Sequence, residues 1–467
     1  MYKEKIDAYI DSKRDEILGD LMTLVRINSQ RGEPKEGMPY GEGPALALRA
    51  AREMMDRYGL ITKNYDNYVV TGDLSESPKE LDILAHLDVV PASAEWTVTK
   101  PFEPRILDGR IYGRGTIDDK GPAVAALYAI RAVKELNIPL KKSVRLILGS
   151  DEECGSSDLV HYYAKEEEAP CTFTPDAEFP VINIEKGRMA PEFYGEFSQE
   201  EALPKVVWFK SGDKVNVVPQ KAEALVCGLE MKTLEEKGRE TTLSTGVSFL
   251  FEAQEQGILI TARGRAAHAS TPEEGQNALT ALLRLISSLP LADTQGSQIL
   301  WGLDKIFPYE DTRGKNLGIF RQEENSGSVT VCFSILEYVS GKVRGQFDSR
   351  LPIGCTEENT EKKAAAQLEN LGLKMEEHSL KAPHCVPGDS EFVKTLLSSY
   401  ERYTGIKAEP ISTGGGTYVH DLKRGVAFGC GMEGVDNHMH GDDEFIEIDT
   451  LLMSAKIFAD AIVKLCG

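Results

Sequence analysis

The sequence predicts an α/β protein with a mainly parallel central sheet, interrupted by an inserted α+β domain. Three observations carry that prediction. Short apolar runs alternate with helix-like segments through the first 186 residues, as βαβ units require. After Gly187 the runs lengthen and alternate more strictly. The first texture returns near residue 391 and continues to the end. A chain of 467 residues has room for two or three domains. The expected division is 1–186 with 384–467 as one domain, and 187–383 as the insert.

The elements follow in order. Ile6, Tyr9, Ile10, Ile17, Leu21, Leu24 and Val25 recur at helical spacing and predict one amphipathic helix up to about residue 26. Strands are expected at YVVTGDL (68–74), LDILAHLDVV (81–90), SVRLILGS (143–150) and INIE (182–185). GPAVAALYAIRAVKEL (121–136) reads as a helix, with Pro122 in its first turn. In the insert, WFKSGDKVNVVP, GILITARG, GSVTVCFSILEYV and KVRGQFDSR read as strands. Residues 275–289 and 360–372 read as helices, as do 391–405 and 450–465 after the insert.

Composition narrows the function. Lys+Arg is 53 and Asp+Glu 74, a net charge of −21. Phosphate contacts need clustered cations, so no nucleic-acid partner is expected. Eight scattered cysteines without a C-x-x-C pair point to neither a disulfide framework nor a thiolate metal site. The charged N-terminus has no apolar signal core, and no apolar run reaches membrane-spanning length. A cytoplasmic protein with no membrane partner is expected.

Ligands of open α/β sheets gather at the carboxyl ends of the strands. There the sequence offers His86 and Asp88 (AHLDVV), Asp118 and Asp119 (GRGTIDDKG), and Asp151, Glu152 and Glu153 (GSDEEC). Asp176 and Glu178 (TPDAEF) and His438 and His440 (VDNHMHGDDEF) complete the set. Mixed imidazole and carboxylate donors suit Zn²⁺, Mn²⁺ or Co²⁺. A carboxylate has two oxygens and can bridge two ions, as in two-metal hydrolytic sites. In extended chain, residues i and i+2 share a face, which sets Asp88 behind the His86 imidazole as its orienter. By the same period Glu152 and Glu153, if extended, point to opposite sides. One can then bind metal while the other handles protons.

HLDVVP, GRGTIDDKGP, DEECGS, PDAEFP and HGDDEF, in this order, resemble the metal-dependent peptidase and deacylase family. That family includes succinyl-diaminopimelate desuccinylase, acetylornithine deacetylase, aminoacylase and carnosinase. Within it the chain is most similar to bacterial dipeptidases of the PepV type, over essentially its whole length. The resemblance implies a di-metal aminopeptidase-like catalytic domain with two divalent ions per chain, Zn or Mn, with Co open. It implies His86 and Asp176 on the first metal, Asp118 bridging, and Glu153 and His440 on the second, with Asp88 orienting His86. The register to Lys120-Gly121 favours Asp118 over Asp119. The pattern H-x-x-[DN]-E favours His440 over His438. Glu152 is implied as general base and then general acid, acting on a water that bridges the metals. Asp151 is left with a structural role.

GRAAHASTPEEGQNA resembles the family's lid motif and nominates His268 to stabilise the oxyanion. Asn216 and Arg350 match substrate-contacting positions of the PepV type. Gly415, in the Gly414–Gly416 triplet, can offer a backbone N–H to a substrate carboxylate. A turn residue, an ion pair within the lid and a flexible turn are the plainer readings of Asn216, Arg350 and the triplet. The long insert resembles a two-part lid that imitates a dimer within one chain, so a monomer is expected. The implied activity is hydrolysis of unblocked dipeptides with broad side-chain tolerance. The alternatives are an N-acyl amino acid deacylase and a metal-binding scaffold without catalysis. No G-x-S-x-G motif supports a covalent acyl-enzyme.

Overall fold

The computed structural model describes residues 2–198, 201–339 and 341–467. The chain divides into two compact units. The first is Met1–Ile184, Cys385–Ser412 and Gly416–Gly467; the second is Glu185–His384 with Thr413–Gly415. The last segment, which a cut at 384 assigns elsewhere, is tied in by two bonds. Lys186 N–H donates to Thr413 O at 2.9 Å, and Arg350 donates to Gly414 O at 2.6 Å.

The first unit is built on a mixed sheet that is parallel at its centre. Across it run Ile61–Tyr65, Val69–Asp73, Ser143–Gly149, Lys79–His86, Cys171–Thr174, Gly425–Ala427 and Ile182–Glu185. The pairings from Ser143–Gly149 to Gly425–Ala427 are parallel. Those beyond, on either side, are antiparallel. Every residue of Ser143–Gly149 is buried, which is why that segment reads as a continuous apolar run. The helix Lys120–Glu135 is buried nearly throughout, from Lys120 to Val133, and shares one core with the C-terminal helix Ile448–Cys466.

Two expectations shift. The N-terminal helix is two helices, Lys3–Ser12 and Arg14–Val25. No apolar residue between Ile10 and Ile17 holds the junction to the core, and Ser12 Oγ donates back to Tyr9 O at 2.7 Å, a bond that loosens helices. The strand expected over 81–90 ends at His86, because the main chain beyond it is committed to the site described below.

The second unit holds an antiparallel sheet. Its order is Ser248–Gln254, Gly257–Arg263, Lys221–Cys227, Lys205–Ser211, Thr330–Val339, Lys342–Leu351, Gly187–Met189 and Leu380–Lys381. Helices Met231–Thr245, Ala278–Ser287, Gln295–Ile306 and Lys362–Glu369 contribute to its own apolar core. The run WFKSGDKVNVVP is strand only as far as Ser211, after which it turns.

Between two central strands of the first unit, Arg145 Nε and Nη2 donate to the two Asp82 oxygens, both at 2.8 Å. Asp82 is wholly buried and Arg145 nearly so. Removing one partner of a buried pair strands the other charge, at about 3–5 kcal/mol. Asp82→Ala is therefore expected to lower the unfolding free energy, from urea titration followed by circular dichroism, by an amount of that order; an unchanged midpoint would refute this role for the pair.

Candidate metal centre

Five side chains from different segments of the first unit meet at the end of its parallel strands. His86 is the last residue of its strand. Asp118 lies in the turn before the helix Lys120–Glu135. Glu153 lies in the turn after Ser143–Gly149, Asp176 just past Cys171–Thr174, and His440 in the loop before Phe445–Glu447. The donors form two groups, His86–Asp118–Asp176 and Asp118–Glu153–His440, each with its atoms within 4.8 Å of one another. Asp118 is common to both. Its Oδ1 lies 3.0 Å from His86 Nε2 and its Oδ2 2.7 Å from His440 Nε2. His86 Nε2 is also 3.5 Å from Asp176 Oδ2, and His440 Nε2 is 3.5 Å from Glu153 Oε1. His440, not His438, faces Asp118; His438 Nδ1 lies 3.1 Å from Asp442 O.

These groups fit divalent cations on the structure's own terms. His86 Nδ1 faces the main-chain oxygen of Asp88 at 3.1 Å. A carbonyl only accepts, so in the neutral imidazole that nitrogen carries the proton and Nε2 presents a lone pair. The lone pair points among carboxylates, and His86 Nε2 makes no hydrogen bond although buried; Glu153 Oε1 is orphaned in the same way. Buried polar atoms are rarely left so, and a cation satisfies both. The electrostatics agree. Burial pushes the carboxyls of Glu153 and Asp176 up to about 7 and about 6. It pushes Glu152 well above its usual range, with Asp176, Glu153 and Asp118 adding repulsion. The carboxylates of Asp118 and Glu153 beside it push His440 up to about 11. Acids crowded in this way need positive charge, from protons or from metal.

The turn of acids departs from the expected alternation. Glu152–Cys154 is a 3₁₀ turn, not extended chain. The Asp88 carboxylate winds it, accepting the N–H of Glu152 at 3.3 Å and of Glu153 at 3.1 Å. Asp151 O accepts the N–H of Cys154 and Ser156 at 3.2 and 2.8 Å. The two glutamates still have different surroundings: Glu153 joins a donor group and Glu152 joins neither. Asp88 likewise differs from expectation. It meets His86 most closely through its carbonyl, with its carboxylate Oδ1 at 3.5 Å.

Asp119 is wholly buried, and its Oδ2 accepts the His86 N–H at 2.9 Å. Asp151 has a structural place. It accepts from Ser157 Oγ at 2.6 Å and from its N–H at 3.1 Å, and it pairs with Arg31. Two glycines are needed for close approach. A Cβ on Gly121 would stand 2.0 Å from Thr116 O, and one on Gly149 would stand 2.1 Å from the Tyr418 hydroxyl.

The remaining candidates lie in the second unit. Ala269 N–H donates to Asn216 O at 2.9 Å, and Val217 bridges to His268. His268 is exposed; its Nδ1 accepts the Ser270 N–H at 3.2 Å. Neutral His268 then carries its proton on Nε2. Arg350 Nε donates to buried Asp348 at 2.7 Å, and Arg188 Nε donates to the same carboxylate at 2.9 Å. A Cβ on Gly414 would lie 3.2 Å from Ser270 Cβ and 3.9 Å from Arg350 Cγ, so these residues form one cluster. Gly415 N–H is engaged by Thr413 Oγ1 at 3.1 Å, so its donor already has a partner in this structure.

The sequence alone gives no role to Arg114, or to Glu444, the acid that closes the H-x-x-[DN]-E pattern. Both are buried beside Asp118 and His440. Their signal stands in the quoted motifs, GRGTIDDKG and HGDDEF, as charged residues beside the candidate ligands.

The family model for peptidase family M20/M25/M40 matches residues 83–464. A putative dipeptidase, YtjP, of Bacillus subtilis (strain 168) is 36% identical over 458 residues, covering 97% of this chain and 98% of that protein. A beta-Ala-Xaa dipeptidase of Lactobacillus delbrueckii subsp. lactis is 34% identical over 462 residues, covering 97% of each. Among solved structures, human carnosine dipeptidase 1 aligns with a TM-score of 0.60 at 17% identity, covering 100% of this chain and 99% of its own. Aminoacylhistidine dipeptidase from Vibrio alginolyticus aligns with 0.58 at 14% identity, covering 96% of each. At those identities the two structures speak for the fold alone.

If the two groups hold cations, binding stabilises the native chain by mass action, by about 2.7 kcal/mol at a hundredfold excess over Kd. Chelation with EDTA is expected to lower the melting temperature in differential scanning fluorimetry, and added Zn²⁺ or Mn²⁺ to restore it. Identical melting curves would count against the centre.

Proposed function

The chain belongs to peptidase family M20/M25/M40 and is a hydrolase of peptide bonds; from that premise we propose that it is a dipeptidase acting on unblocked dipeptides. The observation that carries the reading is the placement of Glu152. It sits beside two donor groups that share Asp118, yet belongs to neither. A base held next to cations but not bound to them is free to move protons. In this reading His86, Asp176 and Asp118 hold one divalent ion, and Asp118, Glu153 and His440 the second. Zn, Mn and Co all suit this donor set. Such ions supply Lewis acidity at the scissile carbonyl and make water at the site easier to deprotonate.

The chain's own residues do the rest. Glu152 takes the proton from the attacking water and returns it to the leaving amine. Asp88 fixes the turn that carries Glu152 and holds the His86 tautomer through its carbonyl. We assign His268, as an Nε2–H donor, to the developing oxyanion, and Asn216 and Arg350 to the substrate. Gly415 serves only if its N–H leaves Thr413. The second unit, read as a two-part lid, makes a monomer sufficient. Among the described residues no helix is long and apolar enough to cross a membrane, and we place the enzyme in the cytoplasm. The similarity to dipeptidases over nearly the whole chain supports small peptides as substrates.

Glu152→Gln is expected to keep the metal content of the wild type, measured by plasma mass spectrometry. Its kcat should fall by about 10²–10⁴, the usual worth of a general acid–base. The wild type should cleave a free dipeptide and spare its N-acetylated counterpart. Full activity of Glu152→Gln would end the mechanism; preference for the acetylated compound would shift the assignment to a deacylase.

A further inference from the structure

We propose that Arg114 and Glu444 are positioning residues that fix the span between Asp118 and His440; this rests on the reading that Asp118, Glu153 and His440 hold a cation. Glu444 is wholly buried and Arg114 is 2% exposed. One Glu444 oxygen, Oε1, accepts the N–H of Gly115 at 3.0 Å, of Ile117 at 3.1 Å and of Asp118 at 3.4 Å. That oxygen moulds the turn delivering Asp118. The other oxygen pairs with Arg114 Nη1 at 2.5 Å. Arg114 Nη2 then reaches His440 O at 3.1 Å.

The two ligands are thus joined by a relay: the Asp118 turn, the Glu444 carboxylate, the Arg114 guanidinium and the His440 carbonyl. Glu444 is also four residues after His440, and its own carbonyl accepts the Gly113 N–H at 2.9 Å. The two loops are therefore tied to each other through both the side chain and the main chain of Glu444.

The relay has work to do because of the backbone at His440. Its φ is 62°, the left-handed region that non-glycine residues seldom adopt. Such a conformation persists only where its surroundings hold it. The bond from Arg114 fixes the carbonyl and with it the direction of the imidazole. A planar guanidinium can serve Glu444 and His440 O at once, from two nitrogens in fixed geometry. A lysine ammonium in its place keeps the charge beside Glu444 but cannot reproduce that fork. The Trp96 ring, centred 5.5 Å from the Arg114 guanidinium carbon, covers the same group. Among the described residues Arg114 bonds to His440 and not to His86 or Asp176; Glu444 itself holds the turn of the shared Asp118, so loss of the Arg114 fork bears mainly on the donor group of His440.

The test is titration of chelated, full-length protein with Zn²⁺ alone by calorimetry, comparing the wild type with Arg114→Lys. The wild type is expected to take up two ions per chain. In Arg114→Lys one binding event should weaken 10–100-fold, the usual cost of losing a group that orients a ligand. The other event should stay within about twofold, and so should the urea midpoint of the metal-free chain. Two events unchanged, or both weakened equally, would overturn the relay. A wild type that binds a single ion would instead defeat the two-ion reading; the relay is then judged on that one event, and fails if Arg114→Lys leaves it unchanged. Should Arg114→Lys not fold, Glu444→Gln is the second variant. Its amide can keep one oxygen on the Asp118 turn while setting an N–H donor against Arg114, and the same loss at one event is expected.

Discussion

The Asp118 carboxylate is the constraint on which the rest of the first unit turns. Its two oxygens face two different imidazoles, His86 on one side and His440 on the other. For both contacts to exist, the end of a central strand, the turn before a buried helix and a loop near the C-terminus must converge within a few ångströms. The rigid parallel strands set His86 and the Glu153 turn at neighbouring strand ends. The helix that begins at Lys120 sets Asp118, with Gly121 letting it pack against Thr116 O. The C-terminal helix shares that helix's core and anchors the return of the chain carrying His440. An assembly of buried carboxylates is unfavourable on its own, so the fold supplies a framework that fits cations as the compensating charge.

Much of this arrangement was legible in the sequence because strands and candidate donor side chains are marked by residue type. Ser143–Gly149 announced itself as an apolar run, and the run of acids after it as a site. The helix from Lys120 was legible from Pro122 and its alanines. Legibility failed where tertiary hydrogen bonds overrule local pattern. Alternation predicted opposite faces for Glu152 and Glu153, but the Asp88 carboxylate gathers both N–H groups and coils the segment. The side chain expected to orient His86 serves that turn more directly, and its carbonyl meets the imidazole. Nothing in one sequence shows which oxygen of a residue will be used. Arg114 and Glu444 stand inside the quoted motifs, but their role was not legible for a related reason: what such a charged residue does is recognised only once its partners are placed.

The second unit shows the same division between pattern and placement. Its strands were readable from alternation. That Asn216, His268, Ser270, Gly414 and Arg350 share one neighbourhood was not readable, because Gly414 comes from a segment about thirty residues beyond the insert's end. Asp348 anchors that neighbourhood by receiving two arginines on one buried carboxylate, which fixes the direction of Arg350. The engagement of Gly415 by Thr413 is a local side-chain-to-backbone bond of the kind that competes with ligand binding.

The most direct test of the bridging role of Asp118 is anomalous diffraction at the zinc edge from crystals of the zinc-loaded protein. Two peaks roughly 3.5–4 Å apart, one against each Asp118 oxygen, are expected, the first beside His86 and Asp176 and the second beside Glu153 and His440. A single peak, or two peaks with Asp118 bound through one oxygen only, would contradict it.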